Sequence, residues 1–193
     1  TVSFWWENTM FLAGAHEDVW VQYKRGSRGG KRDFDLNDDF ARWLDDPGAS
    51  YTHPTKPDLH LSDIFVFPNL KEFQIKGKSE FVYGALIEGR DILKTLGGKR
   101  RIVLFGRQQA GKTALSKVLF QDFYNKGLTP VLISGDDIAD AHLDLAKFED
   151  LIEVRFQKQY RNPLLPHFQQ LDRDKTVLMV DDLDHARLNA KGR

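Results

Sequence analysis

Eight consecutive residues, 106–113, have the types and spacing of a phosphate-binding loop. They follow the pattern Gly-x-x-x-x-Gly-Lys-Ser/Thr and end in Lys112 and Thr113. The two glycines let successive backbone N–H groups face one concave site, and a helix N-terminus behind the loop favours an anion there. The lysine brings positive charge to the β- and γ-phosphates of a nucleotide, and the threonine hydroxyl is a ligand for Mg²⁺. We therefore predict a nucleotide site formed by Gly106, Arg107, Gln108, Gln109, Ala110, Gly111, Lys112, Thr113 and Ala114.

A pair of carboxylates, Asp181 and Asp182, directly follows the apolar residues 177–180. In open parallel sheets, ligands bind at the carboxyl ends of the strands, so we expect Asp181 beside the phosphates, where it binds Mg²⁺ together with Thr113. Asp182 is then the candidate catalytic residue, which orients or activates the attacking water. Two alternatives remain open: a glycine turn that merely precedes Lys-Thr, and a strand that ends in a solvated acidic turn.

The elements that must position these residues are predicted from hydrophobic pattern. Apolar strands at 101–105, 129–133 and 176–180 alternate with helices at 112–125 and 143–160. Such alternation is typical of parallel βαβ units with helices on both faces of the sheet. Further upstream, short extended segments are predicted at 62–68 and 73–76, and a helix at 86–96. The predicted fold class is therefore α/β with a parallel sheet, preceded by a short α+β segment and a linker.

Composition divides the chain. All 4 Trp lie in the first 43 residues, and four of the 7 Pro lie between positions 47 and 68. Proline and glycine favour turns, so residues 45–60 are predicted to be a linker. Before it we predict a strand at 19–23, an Arg/Gly-rich loop at 25–32 and a helix at 36–44, which is too little for an independent domain. The expected domains are 1–44, the tail of an upstream domain, and 61–193, the N-terminal part of a nucleotide-binding domain.

Charge and composition exclude several classes of protein. The 28 Lys and Arg balance the 28 Asp and Glu, which argues against a nucleic-acid coat protein or a polybasic membrane binder. The Arg/Gly-rich loop remains open to contact with nucleic acid, with a solvated hairpin loop as the alternative. There is no cysteine for thiolate metal sites or redox pairs, and no apolar run approaches the roughly 18 residues of a membrane span. We expect a soluble, cytoplasmic protein with no membrane partner.

The loop and the ending Val-Asp-Asp-Leu-Asp at 180–184 resemble those of the STAND-class signal-transduction NTPases, the relatives of NACHT and NB-ARC proteins. Residues 86–91, Leu-Ile-Glu-Gly-Arg-Asp, are similar to an element of that family that lies near the adenine, which adds Arg90 to the predicted nucleotide-binding residues. An ordinary helix N-terminus is the alternative there. Residues 61–70 and 130–135 further resemble bacterial proteins that join a calcineurin-like metallophosphoesterase to a STAND NTPase.

The resemblance implies a P-loop NTPase that binds ATP or ADP with Mg²⁺ and hydrolyses ATP slowly. It implies a nucleotide-dependent switch for homo-oligomerisation, with an upstream effector domain, a downstream sensor domain and a role in bacterial defence against phage. An AAA-like motor driven by hydrolysis is the alternative, although Asp182 in place of glutamate favours the switch. A non-catalytic scaffold is disfavoured by the intact Lys112, Thr113 and Asp181. GTP has no support, because a guanine-reading Asn-Lys-x-Asp is absent from the sequence.

The resemblance also predicts that the sheet is incomplete in this segment. In the family, a strand that comes later in the chain than the acidic strand lies between the acidic strand and the strand before the phosphate loop. The sequence ends eleven residues after Asp182, so we expect a vacancy between these two strands and unpaired backbone on both. We expect the chain to be an excerpt of a larger protein.

Overall fold

A computed structural model describes residues 3–4, 10–13, 32–51, 53–76, 80–96, 101–104, 106, 109–140 and 145–186, and its architecture is mixed α/β. The strands are β1 Ser3–Phe4, β2 Met10–Ala13, β3 Leu70–Lys76, β4 Glu80–Ile87, β5 Arg101–Leu104, β6 Thr129–Ser134 and β7 Thr176–Asp181. The α-helices are α1 Asp38–Asp45, α2 Leu61–Ile64, α3 Ile92–Leu96, α4 Lys112–Asn125, α5 Gly135–Asp140, α6 Leu145–Gln159 and α7 Leu165–Gln169. Single 3₁₀ turns are formed by Gly89–Asp91, Arg173–Lys175 and Leu183–Ala186.

The strands form one mixed sheet in the order β4-β3-β1-β5-β2-β7-β6. β6 and β7 are parallel, from Thr129 beside Thr176 to Ser134 beside Asp181. β3 and β4 form an antiparallel pair, and β1 is antiparallel to β3 but parallel to β5. The prediction of a parallel sheet is therefore wrong for part of the sheet. The connections explain this, because α5 and α6 provide the long crossover that a parallel pair needs, whereas the short connection between β3 and β4 permits only an antiparallel pair.

The predicted vacancy in the sheet is occupied. β2 lies between β5 and β7 and is antiparallel to both, with Met10 beside Leu104 on one side and beside Asp181 on the other. An extended segment placed there satisfies the backbone N–H and C=O groups of two strands at once, which is a strong driving force for pairing. A segment from the start of the chain thus holds the position that the family resemblance assigns to a later strand.

The core lies between the sheet and the helices α1, α4 and α6. In α4, apolar residues recur at 115, 119, 120 and 123, which places one face of the helix against β6 and β7. Phe34 and Leu44 belong to the same core, and the ring of Phe34 meets that of Phe156 edge to face at 4.8 Å. Residues before and within α1 therefore pack with the predicted nucleotide-binding domain, and the domain boundary at residue 44 stays a prediction.

Helix α6 covers β6, which lies at one end of the described sheet. The Gln159 side chain accepts a hydrogen bond from Leu132 N–H at 3.0 Å and donates one to Leu132 C=O at 2.5 Å. The Tyr160 hydroxyl donates to the carbonyl of Pro130 at 2.7 Å. Gln159 is only 3% exposed, so these side chains replace the neighbouring strand that β6 lacks on this side.

Most of the local predictions are confirmed, among them the helix predicted at 36–44, which is observed as α1, and the extended segment predicted at 73–76, which lies in β3. The helix at 112–125 and the strands that became β5, β6 and β7 are confirmed, and the helix predicted at 143–160 is observed as α6. The helix predicted at 86–96 is wrong in its first part, because β4 continues to Ile87 through its pairing with β3. The extended segment predicted at 62–68 begins instead as α2, where the Asp63 carboxylate accepts a hydrogen bond from His60 N–H at 2.8 Å. The strand predicted at 19–23 and residues 25–31 of the predicted loop lie outside the described residues.

None of the helices in the described ranges combines the length and the apolar composition that crossing a bilayer requires.

Candidate functional site

The predicted phosphate loop connects β5 to α4, in the strand–loop–helix order that the motif requires. Gly111 is the N-cap of α4 and has left-handed backbone angles, φ 79° and ψ 23°. A Cβ added at this position would meet nothing within 4 Å, so the backbone angle, rather than space, requires glycine here. Gln109 is also left-handed, with φ 62°. Arg107 and Gln108 lie outside the described residues, and the neighbouring Gly106 is buried.

The first turn of α4 holds the predicted phosphate and metal ligands. Lys112 opens the helix and is 8% exposed, Thr113 is exposed and Ala114 is half-buried. The carbonyl of Gly111 accepts the first helical hydrogen bond, from Leu115 N–H at 2.9 Å. The N-terminus of this 14-residue helix carries partial positive charge, and the first N–H groups of a helix have no acceptor within the helix itself, which favours a bound anion.

Asp181 ends β7 next to this turn. The hydroxyls of Thr113 and Ser116 lie beside its carboxylate, and the N–H of Asp182 donates to its Oδ1 at 3.2 Å. The Ser116 hydroxyl donates to the carbonyl of Lys112 at 3.1 Å. Asp181 is 7% exposed. Burial raises the pKa of this carboxyl above its usual value of 3.8, the negative charge of Asp182 raises it further, and the neighbouring Thr113, Ser116 and Asp182 N–H partly oppose the rise. The fold therefore brings together Thr113 and Asp181, which lie 68 positions apart in the sequence.

Asp182 begins the turn after β7 in an unusual backbone conformation. Its φ is 52°, in the left-handed region that non-glycine residues seldom occupy, and its carbonyl accepts a hydrogen bond from His185 N–H at 2.9 Å. Gly135 packs so closely against that carbonyl that an added Cβ would lie 1.9 Å from the oxygen. Residues held in such conformations by their surroundings are frequent at functional sites. The turn keeps the half-buried Asp182 side chain beside Asp181.

A cavity of about 370 Å³ opens at the carboxyl ends of β6 and β7. Thr113, Asp181 and Asp182 line it, as predicted for residues of one site. Helix α1 contributes Phe40 and Trp43 to its wall, and the remaining lining residues come from β6 and α6. The cavity therefore joins the predicted metal ligands to a largely apolar space that the sequence did not predict.

Ser116 and Lys117 are site residues that the sequence reasoning missed. The Lys117 ammonium donates to the carbonyl of Asp46 at 3.0 Å and lies 4.3 Å from the centre of the Trp43 ring. Burial lowers the pKa of Lys117, and the nearby charges of Asp46 and Asp181 oppose that shift. The available signal was position: both residues follow Thr113 by three and four places, which puts them on the same helix face.

Arg90 lies in the 3₁₀ turn Gly89–Asp91 that follows β4, and the structure describes only its backbone. The turn is fixed by Asn69, whose side-chain oxygen accepts a hydrogen bond from Gly89 N–H at 2.9 Å. The proximity of Arg90 to a nucleotide base stays a prediction. Within the described ranges, no group of three or more His, Cys, Asp and Glu side chains is arranged to hold a metal ion.

The described site thus brings Thr113, Asp181 and Asp182 together and places Lys112 in the same helical turn as Thr113. Comparisons of the chain with protein-family models, curated proteins and solved structures found no match.

Proposed function

We propose that this chain is the nucleotide-binding module of a STAND-type P-loop NTPase, which binds ATP with Mg²⁺ and acts as a nucleotide-dependent switch. The observation that carries the proposal is the position of Thr113 beside the Asp181 carboxylate, where both residues line one cavity. The start of the helix after the phosphate loop and the end of the acidic strand thus lie together, and these are the two places from which P-loop NTPases supply their metal ligands.

The residues present fit a magnesium ion. Mg²⁺ prefers oxygen ligands and is usually held by one or two protein groups, with water and phosphate oxygens completing its shell. Thr113 and Asp181 offer one hydroxyl and one carboxylate side by side, so a protein cage of three or more ligands is not needed. When bound, Mg²⁺ would neutralise charge on the β- and γ-phosphate oxygens. A buried carboxylate whose pKa is raised by desolvation also gains from a nearby cation.

The remaining residues have separate roles in this proposal. Lys112 and the backbone N–H groups of the loop hold the phosphates, and the N-terminus of α4 adds a favourable dipole. Asp182 positions a water whose oxygen attacks the γ-phosphorus. The bond from that phosphorus to the bridging oxygen of ADP breaks, and the water proton passes to the Asp182 carboxylate. Adenine as the base, slow turnover, oligomerisation and effector activation are proposed from the resemblance alone.

Nucleotide binding by the full chain tests the P-loop assignment. We expect isothermal titration calorimetry to detect binding of ATP in the presence of Mg²⁺, and Lys112→Ala to weaken it by about 100-fold or more, because a charge-assisted contact to phosphate is lost. Lys158→Ala is the matched control, since Lys158 is an exposed lysine of α6. Equal affinity in the Lys112 and Lys158 variants would contradict the assignment.

Asp182→Ala separates the switch from a motor. We expect this variant to bind ATP normally but to hydrolyse it slowly, and to accumulate ATP-dependent oligomers that light scattering detects. A switch needs only the ATP-bound state, whereas a motor needs repeated hydrolysis. If the variant assembles only as fast as residual hydrolysis permits, the motor is the better description.

A further inference from the structure

Asp182 has a backbone conformation that its neighbours must hold in place. Its φ of 52° lies in the left-handed region, which is costly for a non-glycine residue and persists only where the surrounding structure fixes it. The contact that restricts it most closely comes from α5, whose first residue, Gly135, packs against the Asp182 carbonyl with no room for a Cβ. The position of Asp182 therefore depends on how the start of α5 is held.

Asp137 ties the start of α5 to two neighbouring elements. Its Oδ2 accepts a hydrogen bond from Ser134 N–H at 3.0 Å, which joins the first turn of α5 to the end of β6. Its Oδ1 accepts a hydrogen bond from the guanidinium of Arg155, a residue of α6. Arg155 thus connects α6 to the turn of α5 against which Asp182 packs.

The ion pair of Arg155 and Asp137 is better shielded from water than the other pair at this turn. Its two side chains are 28% and 20% exposed. His185 and Asp136 also join the turn after Asp182 to α5, but their side chains are 54% and 72% exposed, and His185 is charged only when protonated. Exposed ion pairs contribute little, whereas a shielded charge-assisted hydrogen bond is stronger. Of the two pairs, the one with Arg155 is therefore the stronger anchor for α5.

We propose that Arg155 is a positioning residue for ATP hydrolysis, which acts through Asp137 and the start of α5 to hold the Asp182 backbone in place. The inference rests on the proposed function for the role of Asp182 in positioning the attacking water. Arg155 lines the same cavity as Asp182, so this anchor lies at the site itself. The phosphate loop is not part of the chain of contacts, so loss of the anchor affects hydrolysis and leaves nucleotide binding intact.

Hydrolysis assays and calorimetry on the full chain test this role. We expect Arg155→Met to lower kcat for ATP by about 10- to 100-fold and to leave the affinity for ATP with Mg²⁺ unchanged, because a small displacement of a positioning group is costly. Asp137→Asn should behave in the same way, since it keeps an acceptor for Ser134 N–H and loses the charge that binds Arg155. Arg155→Lys should restore part of kcat, because one charged donor remains. Arg161→Met is the matched control: it removes an arginine paired with Asp38 that does not line this cavity, and kcat should not change.

A measurement without nucleotide separates this inference from the proposed function. The N–H of His185 donates to the Asp182 carbonyl at 2.9 Å, so its hydrogen exchange, followed by NMR, reports how firmly the turn is held. We expect this exchange to be about tenfold faster in Arg155→Met and in Asp137→Asn than in the unmodified chain, and unchanged in Arg161→Met. Lys112→Ala is expected to lose ATP binding and to keep the slow exchange.

Three results would overturn the inference. The first is unchanged exchange at His185 in both variants of the ion pair, and the second is faster exchange with an unchanged kcat. The third is an affinity for ATP that falls as much as kcat, because Arg155 would then support the whole site rather than Asp182. If the unmodified chain binds no ATP, the proposed function fails, and the exchange at His185 still decides whether Arg155 holds the turn. Circular dichroism checks folding, and if Arg155→Met does not fold, Asp137→Asn decides by the same measurements.

Discussion

Replacing Gln159 with leucine tests whether this side chain of α6 stabilises the edge strand β6 by hydrogen bonding to its backbone. Both polar atoms of the Gln159 amide bond to the backbone of Leu132, at 3.0 and 2.5 Å. The two residues are 3% and 7% exposed, so water has little access to the groups that leucine would leave unpaired. Each unsatisfied buried group costs about 1–3 kcal/mol, and the added apolar contact of leucine recovers about 1 kcal/mol. With two such groups, we expect Gln159→Leu to lower the free energy of unfolding by about 1–5 kcal/mol.

Urea unfolding followed by circular dichroism measures this loss. Gln157→Leu is the matched control, because Gln157 is exposed on the same helix and its replacement should change stability by less than about 0.5 kcal/mol. Gln159→Glu gives a second comparison: a carboxylate still accepts the Leu132 N–H but repels the Leu132 carbonyl, so it should destabilise the protein at neutral pH. If the two leucine variants unfold at the same urea concentration, the side chain of Gln159 does not hold the strand.

Two further predictions concern Asp181 and Gly135. Asp181→Asn should stabilise the protein near neutral pH and abolish Mg²⁺-dependent ATP binding. Because the pKa of Asp181 is raised above 3.8, its ionisation destabilises the native state as pH rises through the raised pKa, so the gain in stability against urea should shrink towards about pH 4. A gain in stability that is independent of pH would contradict the burial argument. Gly135→Ala should lower the free energy of unfolding by about 1–3 kcal/mol and slow ATP hydrolysis more than it weakens ATP binding, because its Cβ would displace the Asp182 backbone. Gly84→Ala is the control, since its Cβ would meet only the Glu72 side chain, at 3.3 Å. Equal hydrolysis kinetics in the two variants would exclude a displaced Asp182.

The parts of the site that could be predicted from the sequence are those that depend on residues close together in the chain. A glycine that must be left-handed, a lysine and a threonine at a helix start mark the loop, and an apolar strand ending in Asp181 marks the acidic strand. Parallel strands joined by a crossover helix bring their carboxyl ends to one edge, so the approach of Asp181 to Thr113 follows from the order of elements.

The rest depended on contacts between distant segments. The sequence predicts α1 as a helix, but not that Phe40 and Trp43 form a wall of the cavity. The position of β2 is not readable from residues 10–13 either, because a short extended segment has no pattern that names its partners. At 86–96, pairing of β4 with β3 decided the structure against the helical spacing of the residues. The free energy of strand pairing depends on both segments, so it cannot be predicted from the sequence of either one alone.

The distribution of unfavourable features supports a functional role for this part of the molecule. Asp181 is buried with a raised pKa, Asp182 has a left-handed backbone, and Lys117 is buried with a lowered pKa. Each is a local cost that a single ordinary substitution would remove, and all three lie around the start of α4 and the end of β7. By contrast, the buried polar groups of Gln159 and Tyr160, which pack on the edge strand β6, have hydrogen-bond partners. Selection for stability alone does not explain why these destabilising features cluster at one end of the sheet. A site for a cation and phosphates does explain it, because such a site contains groups whose interactions are completed only when those ligands bind.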